Sequence, residues 1–517
     1  MKMRYIYLVN FALLILFAGC DEFLEEDLRD EIPTENFFNN DTEAELAING
    51  MYFLLHQGPM YRGNGLDQYY NFGADEVGPN RSVTGTTHNY LINEGVADGG
   101  GSWRVLYEIV RNSNVAISRI GDNELLSEEI RDRTLGEALF MRGLAYYHLT
   151  NLWGDVPYFR ELLPLQELAT IGRTDNDVIR TDMKSDLEMA FELLPDSYSD
   201  SDLGRATKWA AATLLAKYYL FDQEWELARD WSLRVINDSP HRLLDDYAAV
   251  FDQSDINNQY NDEHIFVVDF TKDPVIGVGN TQRTDFFNPR IRDEPIRRNQ
   301  RPGGPGTQTR WQILQDTLRT QNEDFTGFGL AIPLPELADQ SNWEEGDLRY
   351  EATIIQEYLG FQLSFPYFRK LWNLDQINSP RNNHSENYVI FRLADVYLMA
   401  AEAENELNGP GNAYQYVNAV RARAFDPDKP WAGISQQEFR ERMYDERKFE
   451  LAAEGHRRLD LIRWGILLET VRNVEHRPWN NPADNIMPKH VLLPIPLSEI
   501  LLNPNLLTSD PTNNGYR

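Results

Sequence analysis

Apolar residues recur at three- and four-residue spacing over most of the chain. That period predicts amphipathic helices over Thr42–Gln57, Trp103–Ile120, Arg131–Trp153, Asp177–Leu194, Ala206–Phe221 and Glu224–Asn237. Asp41 or Thr42 would cap the first, while Gly154-Asp155-Val156-Pro157 and Pro195 would stop the third and fourth. Only His264–Phe270 (H-I-F-V-V-D-F) reads as a short strand. The period fails in two places. Gly58–Gly101 is one, and Thr271–Phe328, rich in Gly, Pro, Asn and Arg with scattered aromatics, is the other. Irregular stretches of this length inside a compact protein are usually functional or disordered. Near the end, L-L-P-I-P-L-S-E-I uses two prolines to fix an extended segment.

Within the periodic regions a repeat emerges. Ala216, Tyr219, Ala228 and Pro240 sit at the spacing of the small, aromatic, small and proline positions of a tetratricopeptide hairpin. Small residues let two antiparallel helices approach while the tyrosine fills the groove beside them. Ala401, Ala413 and Val420, within Tyr388–Ala424, reproduce the spacing of Ala216, Ala228 and Val235. The fold class expected is all-α, built from helical hairpins with a few short strands and long loops.

The stretch Arg440–Gly465 has a different pattern. Glu446, Glu450 and Glu454 would form one row of a helix beside Phe439, Met443 and Arg447. Like charges four residues apart repel, so the row needs cations. Arg447, and Arg457, Arg458 and Arg463 beyond a stop at Gly455, are the nearest candidates. Two helices clamped by a semi-buried acid–arginine lattice are expected, either catalytic or architectural.

Charge and ends narrow the class. Lys2 and Arg4, the apolar run Ile6–Phe17 and the small pair Ala18-Gly19 form a signal peptide over 1–19, too short in its apolar part to span a bilayer. L-F-A-G-C resembles a bacterial lipobox, with Cys20 as the lipidated residue, and D-E-F-L-E-E-D follows as an acidic tether. Cys20 is the only cysteine, which excludes a disulfide framework and a C-x-x-C metal site. Removing Lys2 and Arg4 takes the net charge from −32 to −34, so nucleic acid is not an expected partner. The chain has no G-x-S-x-G elbow, H-E-x-x-H or G-x-x-x-x-G-K loop, and Arg301–Gly306 (R-P-G-G-P-G) lacks the strand-then-helix setting of a dinucleotide loop. His456 with Asp460 could be imagined as a base and its orienting acid, or equally as a surface contact. No EF-hand-like spacing appears, which leaves calcium open but without support, and no cofactor is expected.

Several motifs together resemble the SusD/RagB family of outer-membrane nutrient-binding lipoproteins. They are C-D-E-F-L at Cys20, I-N-G-M-Y (Ile48–Tyr52), W-R-V-L-Y-E-I-V-R-N-S-N (Trp103–Asn114), and F-M-R-G-L-A-Y-Y-H-L with W-G-D-V-P (Phe140–Pro157). Next come G-R-A-T-K-W-A-A-A-T-L-L-A-K (Gly204–Lys217), F-R-L-A-D-V-Y-L-M-A-A-E-A (Phe391–Ala403), the Glu446–Gly465 stretch, and L-P-I-P followed by N-P-N-L. Their order covers nearly all of the mature chain; N-N-G-Y at the terminus departs from the usual N-P-G-Y.

The resemblance implies a SusD-like fold in one unit, 20–517. It would comprise an N-terminal helical half (20–240), a loop-rich ligand-binding insertion (241–330) and a C-terminal half (331–517). It also implies a surface lipoprotein of the outer membrane that binds oligosaccharides, or in some members peptides, without catalysis. The ligand would pass to a SusC-like TonB-dependent transporter. Sugar rings need flat apolar faces, and their hydroxyls need polar partners. The loops supply Tyr69, Tyr70, Tyr90, Phe286, Phe287 and Trp311 as candidate stacking surfaces. The G-A-D-E step, which looks like the family's loop-borne acid, points to Asp75 with Arg81 for the hydroxyls. Glu446, Glu450 and Glu454, far from both loops in sequence, then read as a buried clasp of the scaffold.

Overall fold

The helical period becomes a stack of antiparallel hairpins. The computed structural model describes residues 37–63, 65–81, 87–252, 256–271, 279–288, 327–358, 361–372 and 384–517. Its longer helices are α1 (Asp41–Leu55), α2 (Gly100–Ile120), α3 (Glu128–Trp153), α4 (Asn176–Leu193), α5 (Lys208–Phe221) and α6 (Trp225–Asp238). The C-terminal half adds α7 (Leu393–Asn408), α8 (Pro410–Ala422), α9 (Gln436–Glu450) and α10 (Arg457–Arg463). Each of the first six agrees with its sequence pattern to within a turn. The N-cap of α1 is Asn40, whose side chain accepts from the Glu43 amide at 3.1 Å, one residue before the predicted cap.

Small residues set the spacing. Ala210, Ala211, Ala212 and Ala216 on α5 and Ala228 on α6 are fully buried, as are Ala401 on α7 and Ala413 and Val420 on α8. A Cβ on Gly143 would lie 2.9 Å from a Leu187 methyl, so only glycine lets α3 and α4 approach this closely without a shift. α6 packs against α7, so the C-terminal hairpin extends the N-terminal stack across more than 150 residues of intervening sequence.

The strands are short and paired antiparallel. β1 (Val77–Pro79) pairs with β3 (Ala331–Pro333), β2 (His264–Val268) with β6 (Tyr388–Arg392), and β4 (Ile354–Tyr358) with β5 (Phe361–Phe368). Of the two irregular stretches, Gly58–Gly101 is mostly described and is ordered by the turns Gly58–Arg62 and Asp67–Tyr70 and by β1. β2 falls within the strand expected at His264–Phe270, whereas the two turns and β1 are too short to carry a readable period and left no sign in the sequence. Residues 289–326, most of the second irregular stretch (Thr271–Phe328), lie outside the described residues.

The acid–arginine lattice is present, but its wiring differs from the sequence reading. α9 ends at Glu450, so Glu454 sits in the following turn and the three carboxylates do not share one helix row. Their cations come from distant segments. Arg349 reaches Glu446 (2.7 Å) and Glu450 (3.1 Å); Arg392 reaches Glu263 (2.7 Å), Glu450 (2.8 Å) and Glu454 (2.9 Å). Arg421 takes Glu446 (2.5 Å), Arg423 takes Glu450 (2.7 Å), and Lys370 takes Glu454 (2.7 Å). Glu263, Arg349 and Glu450 are completely buried. The nearby arginines are used elsewhere: Arg447 on Asp460 and Asp395, Arg457 on Asp75, Arg458 on the His490 carbonyl, and Arg463 on Glu402 and Asp460. A buried cation is selected by which chain segments converge, and sequence proximity does not report that.

Candidate ligand-binding site

An open cavity of about 500 Å³ lies at the N-terminus of α2. Gly58, Pro59, Gly65, Gln68, Tyr69 and Thr87 line one part of it, and the run Val96–Ser102 lines the rest. Local chemistry shapes this run. Asn93 and Val96 exchange backbone hydrogen bonds (3.0 and 3.1 Å) in a tight turn, and Ala97 (φ 57°) and Gly99 (φ 76°) turn the chain into α2. A Cβ on Gly99 would stand 2.5 Å from the Trp153 ring, whose Nε1 donates to the Asp98 carbonyl at 3.1 Å. The end of α3 therefore holds the turn in place.

The polar groups of the cavity are few. Asp98 accepts from the Gly100 amide through Oδ1 at 3.0 Å, and burial raises its carboxyl above the ordinary value. The half-buried Gln68 amide has no protein partner among the described residues. Ser102 is used internally, donating to the Pro59 carbonyl at 2.6 Å. Val96, 48% exposed, gives the rim an apolar side chain. A carboxylate and an amide beside apolar surface can bind hydroxyl groups; a nucleophile–base pair is not among these lining groups.

Of the residues proposed from sequence, Tyr69 alone lines this cavity; it is 4% exposed, its phenol pushed up by burial and by Asp98. Tyr70 is buried, with its hydroxyl 2.7 Å from His148 Nδ1, and Tyr61 lies 2.6 Å from the other ring nitrogen. Burial lowers His148 to about 3, which keeps it neutral. Tyr90 donates to the Gly73 carbonyl and stacks on His490 at 5.1 Å; burial pushes its phenol up to about 12. Phe287 is 2% exposed and packs edge-on against Phe368 at 5.8 Å. These three rings are enclosed by protein and offer no stacking face, because the core needed their area.

Asp75 is likewise enclosed. Arg457 binds it bidentately at 2.7 Å twice, and Lys448 lies 3.7 Å away. Burial opposes its ionisation, but the Arg457 charge prevails and holds it at about 2. Asp75 is therefore not paired with Arg81, which sits half-buried just beyond β1. Phe286 is half-buried, its ring 5.6 Å from Phe328. Trp311 and Cys20 lie outside the described residues. The imagined His456–Asp460 pair is absent: Asp460 is held by Arg447 and Arg463, and His456, lowered to about 4 by burial, lies 3.4 Å from Lys217 Nζ.

Sequence reasoning missed Gln68 and Asp98. The available signal was D-G-G-G at Asp98–Gly101, a glycine run opening a long helix and leaving backbone uncovered by side chains.

Comparison with known proteins gives this geometry a context. The family model described as the SusD family matches residues 320–516, and one described as starch-binding associating with the outer membrane matches residues 22–220. SusD-like protein P25 of Formosa agariphila is 44% identical over 545 aligned positions, covering 100% of both chains. A laminarin-binding SusD-like protein of known structure superposes with a TM-score of 0.71 at 26% identity, over 90% of this chain and 98% of its own. Surface glycan-binding protein A from Bacteroides thetaiotaomicron, solved with laminarihexaose, gives 0.72 at 19% identity over 92% and 100%, a likeness of fold alone. A hairpin scaffold of shared fold and a full-length relative at this identity lead to one conclusion: the chain belongs to the SusD family.

Proposed function

We propose that this protein is a lipid-anchored, surface-facing glycan-binding protein of the outer membrane. It captures an oligosaccharide without altering it and passes it to a SusC-like TonB-dependent transporter. The observation that carries the reading is the open cavity of about 500 Å³, with Asp98 and Gln68 beside the apolar Val96 on a rigid helix end. A volume of that order suits a short saccharide. Laminarin and laminarihexaose, bound by two proteins of the same fold, are the first ligands to try. Arg81, Phe286 and Trp311 stay candidate ligand contacts on the strength of the sequence; Trp311→Ala should weaken binding and leave the melting temperature unchanged.

Calorimetric titration of the mature chain against laminarihexaose, other soluble glycans and peptides tests this reading. Heat with at least one glycan, and no new reducing ends after prolonged incubation, is the expected outcome. Binding to peptides alone would move the protein to a peptide-capturing role, and release of reducing sugar would sink the non-catalytic claim.

A further inference from the structure

Glu76 opens onto β1, the strand that leads from the first irregular stretch towards Arg81. Its side chain is 1% exposed. Oε2 accepts from the Ala453 amide at 3.1 Å, whereas Oε1 has no hydrogen-bond partner among the described residues. Its own carbonyl accepts from the Leu334 amide at 2.8 Å, so the residue joins three segments: the loop before β1, the end of β3 and the turn after α9. Apolar side chains surround the joint, among them Phe72, Val77, Leu337 and Phe368.

The charged groups facing Glu76 are already committed. Arg457 gives Nε and Nη2 to Asp75 and Nη1 to the Tyr444 carbonyl. Lys370 binds Glu454 and the Tyr247 hydroxyl. A third neighbour, Asp75, is itself an anion and repels a second one. A carboxylate at Glu76 would thus be a buried charge with one backbone donor and no uncommitted cation among the described residues. The neutral acid is the form this site accepts.

We propose that Glu76 is a protonated latch, and that its ionisation loosens the seating of β1 and the adjoining 70–81 segment on the C-terminal half. Burial, with Asp75 adding to it, raises the carboxyl to about 8, which places the release in the mildly alkaline range. The sign follows from the raised value: stabilisation by the neutral acid is complete below the ordinary 4.5 and is lost as pH rises through about 8. Segment 70–81 follows Gln68 and Tyr69 directly, so the same event would disturb the wall of the cavity.

The test compares the wild-type mature chain with Glu76→Gln, whose amide copies the neutral acid, between pH 6 and 9.5. Melting temperature and the rate of tryptic cleavage after Arg81 are the readouts, and neither depends on identifying the glycan. The proposal expects the wild type to lose several degrees across pH 7–9 relative to Glu76→Gln. It also expects the wild-type to variant cleavage ratio to rise severalfold over the same range. Parallel curves for both proteins would overturn it. If Glu76→Gln fails to fold, the wild type alone decides: flat melting and a flat cleavage rate, corrected for trypsin's own pH profile on a peptide substrate, also overturn it.

Discussion

Two regions of this molecule use polar groups in opposite ways. In the lattice around Glu450, five buried cations and four carboxylates bind one another through charge-assisted bonds of 2.5 to 3.1 Å. At the mouth of α2, one carboxylate and one amide stand beside glycines with space around them. Satisfied buried charges hold segments together and have little left for a ligand; open ones are available to a ligand and add little to stability. The acid-rich stretch that stood out in the sequence belongs to the first kind, and the plain D-G-G-G run belongs to the second.

The contrast can be broken most forcefully at Glu450. Its replacement by Ala leaves Arg349, Arg392 and Arg423 facing a void, and loss of one member of a buried pair typically costs about 3–5 kcal/mol. Chemical denaturation should show that loss, while glycan affinity in the surviving folded fraction changes little. A larger loss of affinity than of stability would return the lattice to the binding site.

Acid is the next lever. Burial opposes ionisation of Glu454, yet Arg392 and Lys370 draw it down to about 2, and Arg423 and Arg392 depress Glu450 further still. Depressed carboxyls stabilise the fold above their ordinary 4.5, and that contribution is lost as pH falls towards 2. Circular dichroism should therefore show cooperative unfolding within that window, and a native signal retained at pH 2 would contradict the account.

Smaller effects belong to the cavity. Asp98→Asn keeps the acceptor for the Gly100 amide and removes the charge, so binding should weaken severalfold at neutral pH with no change in melting temperature. Because burial raises the Asp98 carboxyl, wild-type affinity should also fall as the solution is acidified, and the variant should not follow. Gln68→Ala should cost ~1 kcal/mol of binding, about fivefold.

The same contrast explains what the sequence disclosed. Helices α1 to α6 were legible because a 3.6-residue period survives in the primary pattern, and the alanines of α5–α6 and α7–α8 announced close packing. The lattice was legible as a need for cations, but Arg349, Arg392, Arg421 and Arg423 are brought to it only by folding. In the first irregular stretch, Tyr70, Asp75 and Tyr90 had the right chemistry for a sugar and the wrong exposure. A loop residue's type does not tell whether its face is already covered. Glycine, with no side chain to mark it, formed much of the cavity wall.

The central claim is that ligand enters at the N-terminus of α2. Gly101 is exposed on the first turn of that helix and lines the cavity; a Cβ there would lie 3.2 Å from the Pro59 ring, which must shift by a few tenths of an ångström, and Gly101→Trp then places an indole in the opening. Calorimetry of wild type and Gly101→Trp against the best glycan of the panel is the direct measurement. The account predicts that binding is abolished while the variant still melts cooperatively. Wild-type affinity in the blocked variant would contradict it.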